Sequence, residues 1–239
     1  MKNRPSPIQN RIALSVVAFA FVLFGSCANP SSPVSTEASL YSVDFSSSPT
    51  GWYTGTSSDL YCTAAMTGTA YTLTETGNDE FQTYTAPYGY SPYAGKIAVP
   101  YGVQSNMGAT LNNGATFGTS VIKFNRTDSQ NFSLLSIDQS SGQYRISQYA
   151  ADSWVAPDPV PWTTSVLIHP TGTNTIKIIQ HANSLDLYIN GSLANSYSIS
   201  PPAGTITVGV GVENFDTGTT GSESVTATFT DFTIYSEPN

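Results

Sequence analysis

Hydrophobic residues in this chain fall in short runs that alternate with polar residues, a pattern that favours β-strands over helices. Gly, Asn, Asp or Pro separates most of these runs, and no window between them has a helical period. The sequence predicts strands at residues 41–45, 71–74, 96–99, 116–124, 132–137, 143–149, 165–168, 175–181, 185–189, 205–212 and 225–235. Short strands with turn signals between them are typical of a β-sandwich or a β-barrel, so we predict an all-β domain.

The clearest hairpin lies in the segment IKIIQHANSLDLYI, at residues 176–189. A turn at Ala182 and Asn183 places apolar residues on one face of the pair and a mixed set on the other, as a half-buried antiparallel pair requires. The predicted cross-strand pairs are Ile178 with Leu187, Ile176 with Ile189, and Lys177 with Tyr188.

A second turn is predicted at Asn190 and Gly191, because Asn-Gly is the strongest short hairpin signal. With a strict two-residue turn, Leu193, Tyr197 and Ile199 would lie on the polar face of the sheet. A one-residue bulge at or just after the glycine moves all three side chains to the core face. We therefore predict a bulge there.

The N-terminus has the layout of an export signal. Three basic residues within the first eleven precede an apolar run of fourteen residues at 12–25, and small residues follow. That run is shorter than the roughly 20 apolar residues that a transmembrane helix needs. We therefore predict that residues 1–26 are a signal peptide and that the mature protein is exported.

The segment Leu23-Phe24-Gly25-Ser26-Cys27 resembles the lipobox of bacterial lipoproteins, in which a cysteine after small residues is diacylated. Phe24 departs from the pattern, because leucine is usual there. The resemblance implies lipidation of Cys27 and a location in the bacterial cell envelope, since two acyl chains suffice for stable anchoring. The alternative is an ordinary signal peptide and a disulfide between Cys27 and Cys62. If Cys27 is lipidated, we expect Cys62 to be a buried thiol.

The amino-acid composition along the chain indicates where the domain begins. The segment from the lipidated cysteine through residue 39 is rich in Ser and Pro and lacks hydrophobic periodicity, so we predict a flexible tether at 27–39. The remaining residues, 40–239, suit one β-domain, which we expect to be monomeric.

Charge excludes one class of partner. Removal of the signal peptide takes away three of the eight basic residues and no acidic residue, which changes the formal net charge from −8 to −11. Such a surface repels nucleic acid and anionic headgroups, so we expect no nucleic-acid partner and contact with a membrane only through the lipid.

The segment GTNTIKIIQHANSLDLYINGSLANSYSI resembles the concanavalin A-like jelly roll, which is also described as laminin G-like or glucanase-like. YSVDFSSSPTGW resembles its opening strand, NFSLLSIDQSSGQYRISQY its central hairpin and ATFTDFTIY its closing strand. The resemblance implies a two-sheet antiparallel sandwich over most of the domain. Because this fold hosts lectins, polysaccharide hydrolases and domains without known activity, it does not by itself imply a function.

Catalytic patterns are weak. Glucanases of this fold carry Glu-x-Asp-x-x-Glu on one strand, since retaining hydrolysis needs two carboxylates about 5 Å apart, and this motif is absent. The nearest candidates are Asp79 with Glu80 and Glu213 with Asp216, which we interpret as turn or solvated residues. The sequence also lacks a Gly-x-Ser-x-Gly motif, a zinc-ligand spacing and a phosphate loop.

Calcium is the one cofactor that the resemblance suggests, because jelly rolls of this kind often bind it near their paired terminal strands. Asp44 and Asp231 lie in the stretches that could meet there. The alternative is that both carboxylates face solvent or cap a turn.

The best candidate binding residues lie on the strand predicted at 143–149. Alternation places Tyr144 and Ile146 in the core, and the residues predicted to bind ligand lie on the opposite face or in the loop DSWVAPDPVPW beyond it: Gln143, Arg145, Tyr149 and Trp154. Trp154 could instead cover the loop, and we expect Trp162 to pack under the sheet. A second aromatic candidate is the cluster Tyr84, Tyr88, Tyr90 and Tyr93.

These patterns predict a lipid-anchored, extracytoplasmic jelly-roll domain that binds a polysaccharide or another cell-surface partner without catalysis. A hydrolase of the same fold with a nonstandard site and a purely structural envelope lipoprotein are the alternatives.

Overall fold

The structure, a computed structural model, describes residues 37–57, 61–76, 84–86, 97–215 and 222–236. These residues belong to one compact unit that spans Thr36–Asn239. They form antiparallel strands in two sheets, with one short 3-10 turn at Phe45–Ser47 among the described residues. The predicted all-β sandwich is confirmed.

The strands in these ranges are β1 Ala38–Asp44, β2 Gly55–Thr56, β3 Cys62–Met66, β4 Tyr71–Thr76, β5 Tyr84–Ala86, β6 Tyr101–Asn112, β7 Gly118–Arg126, β8 Phe132–Asp138, β9 Gln143–Ala150, β10 Ser153–Trp154, β11 Val160–Thr164, β12 Asn174–Gln180, β13 Leu185–Ile189, β14 Ser192–Tyr197, β15 Thr207–Asn214, β16 Ser224–Phe229 and β17 Asp231–Ser236.

The larger sheet has the order β14-β13-β12-β6-β16-β4-β3-β2, with β17 and then β1 also on the β16 side of β6. The long strand β6 pairs with β12 along one edge and with β16 and β17 in succession along the other. The smaller sheet has the order β10-β9-β8-β7-β15-β5, and β11 also pairs with β9. Strands distant in sequence thus become neighbours, as in a jelly roll.

The two sheets bury their facing sides against each other, and the core consists mainly of Ile, Val, Leu and aromatic residues. An aromatic group closes the core beside β1. The Trp52 ring lies 4.6 Å from Phe45, 5.3 Å from Tyr71 and 5.6 Å from Phe232, mostly edge to face. The Trp52 indole also donates a hydrogen bond to the Tyr41 hydroxyl (2.9 Å), so this tryptophan belongs to the framework.

The predicted hairpin is confirmed residue by residue. Ile178 lies opposite Leu187, Ile176 opposite Ile189, and Lys177 opposite Tyr188. The turn is closed by a hydrogen bond from the His181 N–H to the Ser184 carbonyl (2.8 Å). The alternation of apolar and polar residues therefore fixed the register of β12 and β13, as expected when one face is buried.

The predicted bulge exists but lies farther along the strand. Leu193 pairs with Tyr188 and Asn195 with Leu187, so the extra residue is Ala194. Leu193 is therefore on the outer face and half exposed, and the prediction that it faces the core is wrong. Tyr197, beyond the bulge, does pack against the core. With a two-residue turn after Ile189, Leu193 pairs with Tyr188 and its side chain lies on the outer face. Only beyond the bulge does the register place the apolar side chains of β14 on the core face.

Two other predicted strands differ from the structure. Residues 165–168 form no strand, and the pairing with β9 is made instead by β11, just before them. Of the strand predicted at 96–99 the structure describes residues 97–99, where it shows an isolated bridge from Ile97 to Ile206. Pro170 and the cis peptide bond between Val99 and Pro100 lie next to these segments. Residues 165–168 instead form a turn, in which the Ile168 N–H donates to the Ser165 carbonyl (3.3 Å). Proline lacks the N–H that a strand interior uses, so Pro100 interrupts pairing directly after Val99.

Gly118, at the start of β7, is predicted to be essential for packing between the sheets. A Cβ at this position would lie 2.2 Å from Cγ2 and 2.7 Å from Cγ1 of Val225. We expect Gly118→Ala to lower the free energy of unfolding by about 1–3 kcal/mol, the usual cost of overpacking. Urea unfolding would measure it, and the Gly118→Ala/Val225→Ala protein should recover part of the loss relative to Val225→Ala. An unfolding free energy unchanged by Gly118→Ala would contradict this packing.

Candidate functional site

The outer face of the smaller sheet, defined as the face directed away from the core, carries the predicted binding residues of β9. Tyr144 and Ile146 are buried in the core, as predicted. Alternation along the strand therefore places Gln143, Arg145 and Tyr149 on the outer face. The structure thus brings these three predicted residues to one surface.

An aromatic rim lies at one end of this face and consists of Phe132, Tyr149 and Trp154. β10 folds back on β9 and pairs Trp154 with Tyr149, while β8 pairs Phe132 with Tyr149. The Tyr149 ring is stacked on Phe132 at 5.1 Å and meets Trp154 edge to face at 5.1 Å. All three rings are partly exposed. The rim is therefore a preformed aromatic surface, and Trp154 is part of it.

A second aromatic group on the same face contains Phe117, Trp162 and Phe215. Its ring centroids lie 4.7–6.3 Å apart. The Arg145 guanidinium lies 4.8 Å from the Trp162 ring and 5.0 Å from the Phe215 ring, which are cation–π distances. Trp162 meets both phenylalanine rings edge to face, and the group provides an apolar support for the arginine.

The expectation that Trp162 packs under the sheet is wrong. In β11, Val160 pairs with Ile146 and Thr163 with Tyr144, and the register shifts between them. The shift places two residues of β11, one of them Trp162, beside the single residue Arg145 of β9. A bulge of this kind redirects side chains, which explains why Trp162 lies on the outer face.

A polar centre around Arg145 lies on the outer face. The Arg145 guanidinium is 3.5 Å from a carboxylate oxygen of Glu213 and 3.9 Å from one of Asp158. Glu213 also accepts hydrogen bonds from the hydroxyls of Ser136 (2.6 Å) and Thr119 (2.8 Å). Glu213 is 2% exposed, so the interpretation of this residue as a turn or solvated residue is wrong. The buried carboxylate holds the guanidinium in place.

In the part of the chain that the structure describes, two polar side-chain atoms of β9 on the outer face have no hydrogen-bond partner. They are Nε of Arg145 and Oγ of Ser147, and both atoms are buried. Ser147 lies between Arg145 and Tyr149 along β9, which places its hydroxyl between the polar centre and the aromatic rim. Because buried polar groups are nearly always hydrogen-bonded in native proteins, we expect these two atoms to bond to water or to a ligand hydroxyl.

Lys123 is buried on the same face, with Nζ 3.8 Å from the centre of the Phe132 ring. Burial, assisted by the nearby charge of Arg126, lowers the pKa of Lys123 to about 7. The ammonium therefore titrates near neutral pH beneath the aromatic rim.

The shifted pKa predicts a pH-dependent stability. Between about pH 7 and pH 10.5 the unfolded chain keeps the Lys123 proton and the folded protein releases it, so stability rises with pH in this window. We expect the wild type to gain at most about 1.4 kcal/mol per pH unit relative to Lys123→Met. Denaturant unfolding from pH 6 to pH 10 measures the difference. A difference that stays constant with pH would contradict the assigned shift.

The proposed calcium ligands Asp44 and Asp231 lie directly opposite each other on β1 and β17. Asp44 accepts a hydrogen bond from the Ser46 N–H (2.8 Å), which holds the pKa of Asp44 below its usual value. Asp231 accepts one from the Asn106 N–H (2.8 Å). Within the described ranges no three His, Cys, Asp or Glu side chains are grouped to hold a metal. The two carboxylates have structural roles, and calcium binding stays a prediction.

Several other predicted residues lie outside the described part of the chain or away from the outer face. Asp79, Glu80, Asp216 and Cys27 are outside the described residues, and so are the side chains of the tyrosine cluster at 84–93. Cys62 is buried in the core, as expected.

Phe132 was not among the predicted site residues, and Glu213 was interpreted as a turn or solvated residue and not as a partner of Arg145. The only signal for Phe132 was the hairpin register of 132–149, which places it opposite Tyr149. Glu213 had no local signal, since β15 reaches β9 only through the intervening strands β7 and β8. Its role therefore depended on the topology of the sheet.

Comparison with known proteins gives a fold but no sequence family. No protein-family model matches the chain, and no curated protein sequence matches it. Similar solved structures include the Crh5 transglycosylase in complex with NAG, with 12% identity over 84% of this chain and 85% of that one (TM-score 0.58). The β-glucanase of Bacillus licheniformis has 15% identity over 83% and 98% (TM-score 0.54). The Emp47p carbohydrate recognition domain has 13% identity over 87% and 100% (TM-score 0.50).

These identities show a shared fold alone. The solved structures are glycan-binding domains and glycan-processing enzymes built as antiparallel sandwiches, in agreement with the two sheets described above. The chain therefore has the concanavalin A-like jelly-roll fold.

Proposed function

We propose that this protein is a non-catalytic glycan-binding module that uses the outer face of its smaller sheet. The observation that carries the proposal is the aromatic rim, three partly exposed rings held at 5.1–6.0 Å from one another beside buried polar atoms without partners. Sugar rings present an apolar face and a hydroxyl edge. The aromatic rings of the rim can stack on the apolar face of a sugar ring, and the hydroxyls and amides of β9 can hydrogen-bond to the sugar hydroxyls at its edge.

The polar centre supports the same proposal. Gln143 lies next to Arg145 on the outer face and contributes an amide that donates and accepts hydrogen bonds. The Arg145 guanidinium contacts the carboxylates of Glu213 and Asp158 and lies within cation–π distance of two aromatic rings. Because the side chain is already ordered, binding a hydroxyl through it costs little conformational entropy.

A hydrolase of the same fold is the second candidate, and the buried carboxylate of Glu213 on the outer face is the observation that favours it. Hydrolysis with retention needs a second carboxylate about 5 Å away, free to act as acid or nucleophile. Here Asp158 and Glu213 contact the same guanidinium, and Glu213 accepts two further hydrogen bonds. This arrangement supports a structural role for Glu213 and hence the non-catalytic proposal.

Retention on polysaccharides, measured together with product release, tests the proposal. The purified protein is passed over a broad panel of immobilised or gel-embedded polysaccharides, with calcium and with chelator. We expect retention on at least one polymer without released oligosaccharide. Released product that disappears in the Glu213→Gln protein would establish the hydrolase. Absence of retention on every polymer would contradict glycan binding and favour a structural envelope role.

We also propose that Cys27 carries a lipid anchor. The support is the segment LFGSC at the end of the predicted export signal and the burial of Cys62 inside the sandwich. Within the described ranges no helix is long and apolar enough to cross a bilayer. We expect the wild type to partition into detergent and the Cys27→Ala protein to remain in the aqueous phase. Detergent partitioning of the variant would refute the anchor.

A further inference from the structure

Two cationic side chains lie on the same face of β7 because of a bulge in the strand. Lys123, on the outer face of the smaller sheet, pairs with Gly209 of β15. Arg126, three residues later, pairs with Thr207, only two residues from that glycine, so β7 contains one extra residue. The Asn125 amide oxygen, next to Arg126, accepts a hydrogen bond from a core tyrosine (2.9 Å). The bulge therefore places Arg126 on the outer face with Lys123, where simple alternation would separate them.

Arg126 extends the aromatic rim across the sheet. Past the bulge, the Thr127 N–H donates to the Asn131 carbonyl just before β8 (3.1 Å). The residues next to these two are Arg126 and Phe132, which therefore lie beside each other on β7 and β8. Phe132 is the ring of the rim that stacks on Tyr149. The three rings of the rim and the arginine thus follow one another across four neighbouring strands.

The Arg126 side chain is without a polar partner in the part of the chain that the structure describes. It makes no ion pair there, and its Nε is buried and has no hydrogen-bond partner. Arg145, on the same face, contacts two carboxylates. Because burial of an unpaired polar group is costly, an acceptor that bonds to the Arg126 guanidinium would be favoured.

The distribution of charge supports an anionic ligand at this end of the face. After residue 26 the sequence has five basic residues against sixteen acidic ones, and three of the five lie on the outer face of the smaller sheet: Lys123, Arg126 and Arg145. Burial, and then the charge of Arg126, lowers the pKa of Lys123, so the two cations are close to each other. Cations concentrated on one face of an acidic protein create a local positive potential.

We propose that the outer face of the smaller sheet binds an acidic glycan, whose oxyanion bonds to Arg126 while an adjoining sugar ring stacks on the aromatic rim. This inference rests on the proposed glycan-binding function and names the class of glycan. A guanidinium presents paired N–H donors that match a carboxylate or a sulfate ester. Neighbouring strands lie about 4.8 Å apart, so a ring on the rim and an oxyanion at Arg126 can belong to one ligand.

Binding to immobilised polysaccharides that differ only in the oxyanion tests the proposal. One pair is polygalacturonate and its methyl ester, and the other is dextran sulfate and dextran. We expect the full chain to bind the acidic member of at least one pair about tenfold or more tightly than the neutral member, as a charge-assisted hydrogen bond supplies. Preference in the first pair assigns a carboxylate, and preference in the second assigns a sulfate ester. Absence of preference in both pairs would overturn the proposal.

Arg126→Gln should remove most of this preference, and Arg126→Lys should keep part of it, because an ammonium retains the charge without the paired donors. Lys177→Gln is the matched control, since it removes a cation from β12 of the larger sheet. It should bind as the wild type does. An equal loss in Arg126→Gln and Lys177→Gln would show a general effect of net charge and overturn the proposal.

An NMR titration of the wild type keeps the test independent of the stability of these variants. Arg126 and Arg145 are the two arginines after residue 26, so their Nε–H signals are easily distinguished by substitution. Saturation with an acidic oligosaccharide should shift the Arg126 signal, and an unmoved signal would overturn the proposal.

Trp154→Ala separates this inference from the proposed function. It should weaken binding to both members of a pair and leave the preference between them, whereas Arg126→Gln should weaken binding to the acidic member alone. Binding that needs Trp154 but shows no acidic preference would overturn the inference and leave the glycan-binding function standing. Absence of binding to every polysaccharide would contradict both.

Discussion

Trp154→Ala is expected to bind the glycan about thirtyfold more weakly than the wild type. Trp154 is one wall of the aromatic rim and contacts Tyr149 edge to face at 5.1 Å, so the substitution removes both a stacking surface and a support for the tyrosine. Truncation of a central aromatic residue in a binding site costs about 2 kcal/mol or more. Isothermal titration with the best polymer of the panel, or affinity electrophoresis in it, measures the change.

A matched control for this variant is Tyr53→Ala. Tyr53 is another exposed aromatic residue, 40% accessible, and lies beside β2 on the larger sheet. Tyr53→Ala removes an exposed aromatic side chain, as Trp154→Ala does, but leaves the aromatic rim intact. We expect unchanged glycan affinity. An equal loss in both variants, or no loss in Trp154→Ala, would show that the rim is not the binding surface.

Arg145→Met is expected to lower the free energy of unfolding by about 3 kcal/mol. The substitution removes the cation from the buried carboxylate of Glu213, 3.5 Å away, and loss of one partner of a buried pair costs about 3–5 kcal/mol. We place the loss at the lower end because Ser136 and Thr119 still donate hydrogen bonds to Glu213. Urea unfolding measures it.

The double variant Arg145→Met/Glu213→Gln supplies the control. Glutamine keeps an acceptor for the two hydroxyls and removes the unpaired charge, so most of the lost stability should return. Additive losses from the two substitutions would mean that the two side chains are not coupled. Such additivity would contradict the polar centre as described.

Part of the fold could be predicted because its signals are local. The hairpin of β12 and β13 carries its register in its own alternation, and Ile178 meets Leu187 as predicted. The sequence of β9 likewise predicts which side chains face the core. Tyr144 and Ile146 are apolar, and Gln143 and Arg145, which alternate with them, are polar. When one face is buried and the turn is short, a single register satisfies both constraints.

The central strand β6 was not predicted, although it is the longest described strand. Its sequence YGVQSNMGATLN has few β-branched residues, and Ser105 takes a core position. That serine is satisfied only in the folded sheet, by donating to the carbonyl of Asp231 (2.6 Å). The requirement for glycine at position 108 also comes from a distant part of the chain, because a Cβ there would lie 2.7 Å from the carbonyl oxygen of Gly172. These requirements come from distant strands, so no local pattern records them.

The candidate site likewise contains residues that local patterns predict and residues whose positions depend on distant strands. Tyr149 and Arg145 followed from alternation along β9, whereas Glu213 reaches Arg145 only through the order of four strands in the smaller sheet. Trp162 was misplaced because a bulge in β11 reverses the side chain relative to simple alternation. A bulge is a response to neighbouring strands, and single-sequence patterns give only its approximate position, as the shifted bulge at Ala194 also shows.

The measurement that tests the central claim most directly is an NMR titration with the bound oligosaccharide that follows the three tryptophan indole N–H signals. Trp52 is buried in the framework, where its indole donates to Tyr41, and serves as the internal reference. Glycan binding at the rim predicts a saturable shift of the Trp154 signal with no change in that of Trp52. A saturating ligand that leaves the Trp154 signal unmoved would contradict the account.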